Sequence, residues 1–152
     1  MKNAFLVIVF ILFSHTSYCQ FHIDLGGGVS VKKEVYGKGE VSHRAFPNLE
    51  IVAGYDAKYF VIQGEMKPSI TRNNSASSYF GGAAGFKFRN VTLEGGVYRN
   101  IISEDDPSLN RWNMGASLEY FGRLMKRGGI YGKVMYINNS VIFTAGCRVN
   151  FN

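Results

Sequence analysis

The chain has 152 residues, of which 46% are hydrophobic and 18% charged, and its formal net charge is +6. A charged fraction below the ~25% usual for soluble domains, with 18 Gly, only 3 Pro and 14% aromatics, excludes a collagen, a disordered tail and a coiled coil. Two Cys cannot build a disulfide scaffold or an unaided four-ligand zinc site, and the length suits one domain.

Residues 1–19 read as a secretory leader. Lys2 gives a positive start, Ala4 to Phe13 is an unbroken apolar run, and Ser14 to Cys19 is small and polar. The run is too short to cross a bilayer as a helix. Cleavage after Cys19, with Ser17 three residues before the cut, would make Gln20 the new terminus and leave Cys147 as a single thiol. Lipidation of Cys19 is the alternative, although Tyr18 stands where a bacterial lipobox wants a small residue. Loss of Lys2 takes the net charge to +5. A basic balance can signal nucleic acid, but an exported chain rarely meets any, so no nucleic-acid partner is expected.

Beyond residue 19, period-two alternation replaces any sustained helical period. Eight strands are predicted, at 20–31, 47–56, 59–67, 78–88, 91–101, 111–122, 129–137 and 140–151. Each has one apolar face, as in Ile23, Leu25 and Val29, then Leu49, Ile51, Ala53 and Tyr55, and later Leu93, Val97, Leu118 and Val134. The opposite face carries His22, Asp24, Glu50, Asp56, Gln63, Glu65, Lys67, Lys87, Thr92, Glu94, Ser117, Glu119, Lys133, Thr144 and Arg148. Hairpin turns at Ala57-Lys58, Arg89-Asn90, Lys126-Arg127-Gly128 and Asn138-Asn139 keep flanking residues on matching faces. Gly128 falls where a bulged three-residue loop wants a left-handed residue. A meander of neighbouring antiparallel strands follows.

Alternation alone does not say which face meets solvent. Three features place the apolar face against lipid, beyond the leader itself. Connections alternate between short turns and long segments at 32–46, 68–77 and 102–110, with Asn138-Asn139 as the exception. Aromatics on the apolar face gather at strand ends, with Phe21, Tyr55, Phe60, Phe88, Tyr120 and Phe151 at one end and Phe80, Trp112, Tyr136 and Phe143 toward the other. The polar face mixes acids and bases, and Asp24, Glu50, Glu65, Lys67, Lys87, Glu94, Glu119, Lys133 and Arg148 are the expected structural charge network of a narrow lumen.

Over residues 20–152 this pattern resembles the eight-stranded outer-membrane barrel family, the group of outer-membrane protein A transmembrane domains and outer-membrane protein X. The resemblance implies an all-β, eight-stranded antiparallel up-and-down transmembrane barrel in the cell outer membrane. It also implies that the last strand, Val141-x-Phe143-x-Ala145-x-Cys147-x-Val149-x-Phe151, carries the assembly signal that the barrel-insertion machinery reads, with Val149 and Phe151 at its end. Asn152 after Phe151 departs from the family's terminal aromatic.

Eight strands enclose an interior just filled by side chains, so no wide pore is expected. Gly26-Gly27-Gly28 lacks the helix and Lys-Ser/Thr of a phosphate loop and reads as a strand feature. No catalytic site is expected: His22 and Asp24 share a face as lumen residues, Ser42 and His43 are adjacent and point apart, and no His follows residue 43. No cofactor is expected, and Glu104-Asp105-Asp106 reads as a solvated acidic turn rather than a metal site. Lys32, Lys33, Lys38 and Arg44 make the first long loop basic, a soluble outer loop or a contact for anionic lipopolysaccharide or a surface partner. The expected role is an integral outer-membrane barrel with a structural or surface-interaction function, among outer-membrane lipid and lipopolysaccharide. The alternatives are a secreted soluble barrel holding a small apolar ligand, and an accessory subunit of an envelope secretion or assembly complex.

Overall fold

The computed structural model describes residues 20–35, 41–70, 78–101 and 112–151. Eight strands run β1 Gln20–Val35, β2 Val41–Asp56, β3 Phe60–Lys67, β4 Ser78–Phe88, β5 Val91–Ile101, β6 Trp112–Met125, β7 Gly128–Ile137 and β8 Ser140–Phe151. Each pairs antiparallel with its sequence neighbour, and β1 pairs with β8 to close the barrel. Closure removes the unpaired edges that an open sheet would leave.

Period two then sorts the side chains. Leu25, Leu49, Ile62, Phe80, Phe86, Leu93, Met114, Leu118, Tyr120, Phe143 and Val149 stand on the outer wall, all exposed. His22, Asp24, Glu50, Glu65, Lys67, Glu94, Glu119, Lys133 and Arg148 are buried inside. This is the reverse of a water-soluble domain, in which apolar residues fill the interior and charges are almost never fully buried unless paired. A soluble barrel with an apolar ligand cavity needs the Phe, Ile and Val face inside, and the structure has it outside. The aromatic ends also meet in register: Phe21 lies across from both Tyr55 and Phe151, with ring centroids 5.3 and 5.7 Å away.

Three local expectations are corrected. β1 and β2 run on through most of the segment 32–46, with Lys32 across from Arg44, Lys33 from His43 and Val35 from Val41. Only 36–40, with Tyr36 and Lys38, lie outside the described residues there. The first turn is displaced by one residue: Asp56 pairs with Val61, and the Ala57 N–H donates to the Phe60 carbonyl at 2.8 Å. Tyr59 is therefore an exposed turn residue rather than the partner of Asp56. The third turn has two residues, since Met125 pairs directly with Gly128, and a bulge between Arg123 and Met125 restores the phase. Gly128 is thus a strand residue, and no left-handed glycine is needed.

The other two turns form as expected. Phe88 pairs with Val91 and Ile137 with Ser140. Asn138 and Asn139 have φ of 44° and 60°, the double left-handed geometry of a type I′ hairpin turn, which Asn tolerates well. Pro68 to Ile70 continue along β2, since the Leu49 N–H donates to the Pro68 carbonyl and the Ile70 N–H to the Pro47 carbonyl. The rest of the second long connection and the third, including Glu104, Asp105 and Asp106, lie outside the described residues.

Candidate functional site: the charged barrel interior

Inward positions of all eight strands converge on the barrel axis, and the charged ones separate into two groups by depth. Near the short-turn end, Arg148 on β8 is the hub. Its Nε and Nη2 donate to the two oxygens of Asp24 on the adjoining strand at 2.7 and 2.6 Å. Nη2 also lies 2.7 Å from Glu119 on β6, and Nη1 lies 3.6 Å from Asp56 on β2. Asp56 in turn accepts from the half-buried Lys87 at 2.7 Å. A guanidinium, with its planar fork of donors, can grip Asp24 bidentately while still reaching Glu119 and Asp56. Its flat faces are covered as well, since the Phe121 and Tyr131 rings lie 5.1 and 5.9 Å from Cζ.

The second group lies deeper toward the long connections. Lys67 contacts Glu50 closely and Glu65 at 2.8 Å. Lys133 bridges Glu65 and Glu94 at 2.6 and 2.7 Å. Hydroxyls and an amide add hydrogen bonds to these carboxylates. Tyr131 donates to Glu50 at 2.8 Å, Tyr98 to Glu65 at 3.2 Å, Gln63 to Glu65 at 2.8 Å and Ser117 to Glu94 at 2.6 Å. Tyr131 joins the groups, its ring against Arg148 and its hydroxyl on Glu50.

Above these charges sits a small apolar cluster of Tyr79, Ala83, Tyr98, Met135, Ile137 and Ile142. Glycine makes space for the large rings. A Cβ at Gly96 would stand 2.6 Å from the Tyr98 ring, and one at Gly26 would stand 2.3 Å from the Tyr131 hydroxyl. Bulky rings and small neighbours therefore fill the interior together, as expected for an eight-stranded barrel.

All nine residues expected to form the lumen network are inside, and each has an opposite-charge partner. Asp56 joins them. Such burial is unfavourable for any single ion, and only complete pairing and hydrogen bonding offset it. The sequence reading missed Tyr98 and Tyr131, yet the signal was present: Tyr98 shares parity with Glu94, and Tyr131 with Lys133. His22 lies fully buried, with Nδ1 3.8 Å from Asp56. Ser42 and His43, on neighbouring rungs of β2, face opposite sides of the ladder.

Replacing Tyr98 by Phe keeps the ring against its glycines and removes one hydrogen bond to a carboxylate. The expected loss is about 1–2 kcal/mol of unfolding free energy, read from urea titration of the folded gel band. Loss of assembly altogether would show that the phenol does more than support Glu65.

A closed eight-strand barrel with an apolar exterior and a paired-charge interior has the architecture of the small outer-membrane barrels, and this chain resembles them. The crystal structure of Neisserial surface protein A superposes with a TM-score of 0.57 at 12% identity, covering 86% of this chain and 97% of that one. A de novo designed transmembrane β-barrel gives 0.52 at 9% identity, covering 88% and 95%. No family model and no curated protein matches the chain. Likeness at such identity is likeness of fold.

Proposed function

We propose that the protein is an integral outer-membrane β-barrel, exported through a cleaved leader at residues 1–19, with a structural or surface-interaction role and no wide pore. The observation that carries this reading is the inverted distribution of side chains: Leu25, Leu93, Leu118 and Phe143 outside, Glu50, Glu65, Lys133 and Arg148 inside. Water cannot solvate such an outer wall at a tolerable free energy, because each square ångström of apolar surface left exposed costs about 25 cal/mol. A hydrocarbon solvent removes that cost, and a closed barrel leaves no backbone group unpaired within it.

The interior serves as structure in this reading. Ion pairs that involve all eight strands tie opposite walls together, and catalysis has no part in it. Bilayer lipid and lipopolysaccharide surround the wall, and the barrel-insertion machinery reads β8. Expression in a bacterial host tests the reading. The protein should remain with membranes until detergent is added, and the unboiled sample should migrate differently from the boiled one. A freely soluble monomer would refute it.

The β8 part has its own test. Val149 and Phe151 point outward at the chain's end, and the Phe151 ring rests against Phe21. Deleting Phe151 and Asn152 is expected to leave most of the protein unassembled and protease-sensitive in the periplasm. Wild-type yields of the folded band would remove the assembly role of this terminus.

A further inference from the structure

The three short turns at one end of the barrel all carry basic residues. Lys58 lies in the turn before β3, Arg89 in the turn before β5, and Lys126 and Arg127 in the turn before β7. Arg123 stands at the bulge leading into the last of them. All five are exposed. The acids of this end are turned inward instead: Asp24 and Glu119 are buried against Arg148, and Asp56 is buried with Lys87. Among the described residues, the rim therefore bears five exposed cations and no exposed acid.

The turns that carry them are held in place. The Tyr59 carbonyl accepts from the Lys87 N–H at 2.9 Å, the Asn90 carbonyl from the Phe121 N–H at 2.8 Å, and the Arg127 carbonyl from the Asn150 N–H at 2.8 Å. Each turn is thus tied to the strand beside its hairpin. Apolar groups accompany the charges. Lys58 Nζ lies 4.9 Å from the centre of the exposed Tyr59 ring, and Arg89 Cζ lies 5.7 Å from that of Phe88, itself 75% exposed on the outer wall. Arg89 is drawn toward the wall rather than over the lumen. In the third turn the exposed Leu124 and Met125 come directly before Lys126 and Arg127.

We propose that this rim docks on an anionic leaflet, its Lys and Arg meeting the phosphates of acidic phospholipids while Tyr59, Phe88, Leu124 and Met125 enter the boundary beneath the headgroups. The order along the wall is that of a leaflet: aliphatic residues, then rings, then cations. An acidic polymer or protein in water would be met by the cations alone and would leave the four apolar side chains uncovered. Each Lys or Arg beside an anionic surface strengthens attachment about fivefold, so several on one rigid rim fix which way the barrel stands. The inference rests on the membrane reading above and goes beyond it by assigning a lipid class to one end of the barrel.

The test uses the folded protein in a zwitterionic detergent, given equal amounts of phosphatidylglycerol and phosphatidylcholine, with native mass spectrometry counting the molecules of each retained. Phosphatidylglycerol is expected to be kept in preference, and the preference to shrink as salt is raised. Arg89→Gln with Lys126→Gln and Arg127→Gln should reduce it at least about tenfold. Lys33→Gln, at the opposite end, should leave it unchanged. Glycerol phosphate, which has the anion without the chains, should not be retained. Equal retention of the two lipids, an unchanged preference in the triple variant, equal loss with Lys33→Gln, or retention of glycerol phosphate would each overturn the proposal. So would capture by purified murein that the triple variant loses while lipid preference is absent. Each sample is first checked for the heat-modifiable band. A wild-type chain lacking that band would contradict the membrane reading instead, which separates the two failures.

Discussion

Replacing Arg148 by Met is expected to lower the unfolding free energy by about 3–5 kcal/mol, the usual cost of leaving buried charge without its partner. Met keeps much of the side-chain volume, so the effect isolates the guanidinium. Its removal leaves Asp24 without its bidentate partner and Glu119 without its cation, while Asp56 retains Lys87. Two carboxylates then face one another inside a closed wall. Adding Asp24→Asn to Arg148→Met should recover a substantial part of the loss, since the amide needs no counter-ion. Arg148→Lys should still be destabilised, because an ammonium cannot bridge Asp24 bidentately while reaching Glu119. Urea titration of the folded band measures all three. A loss below about 1 kcal/mol for Arg148→Met would class this as a weak surface-type pair, and the interior would not be the tie between walls described above.

The second large effect belongs to the outer wall. Leu93, the third residue of β5, and Leu118, midway along β6, are ladder partners on the outer wall, 62% and 53% exposed. Arg at either position puts a charge where hydrocarbon would be, at a cost that reaches about 2–4 kcal/mol at the midplane and falls toward the interfaces, so Leu118→Arg is expected to cost more than Leu93→Arg. The folded, membrane-inserted fraction is expected to fall sharply for each single variant and further for the pair. In water the same changes would improve solubility and leave folding intact. Assembly of both variants at wild-type levels would therefore reverse the assignment of solvent to this wall.

How much of this was legible beforehand follows from which physical rule acted locally. Parity from strand to strand is a local property, so Leu93 and Glu94 could be sent to opposite faces without knowing the fold. Closure of β1 on β8 follows once eight such strands exist with apolar residues on one side. The upper part of the first hairpin was not legible. Lys32, Lys33, Ser42, His43 and Arg44 are polar on both faces, so alternation gives no signal, and only the continuing ladder shows that they are strand. The bulge near Leu124 was hidden for another reason: a three-residue loop and a two-residue turn with a bulge restore the same phase.

The charge network was legible as a set of inward residues but not as a set of pairs. Parity brings Asp24 and Arg148 to the same side, while their contact depends on the register of β1 against β8, fixed across 124 positions of sequence. Tyr98 and Tyr131 were overlooked because aromatics in such a barrel are sought at its outer ends. Their positions two and four residues along from charged inward neighbours mark them as interior. Space left by Gly26 and Gly96 is what admits the rings.

Cys147 offers a direct probe of whether hydrocarbon covers the outer wall. It is the one cysteine beyond residue 19, it faces outward, and it lies in the ladder between Leu25 and Ile130. A nitroxide attached there in a Cys19→Ser background, with the protein in lipid vesicles, reports which relaxing agent reaches it. Strong relaxation by oxygen, which concentrates in hydrocarbon, is expected, with little by a water-soluble nickel chelate. Relaxation chiefly by the nickel chelate would mean that this wall faces water and that the barrel does not sit in a bilayer.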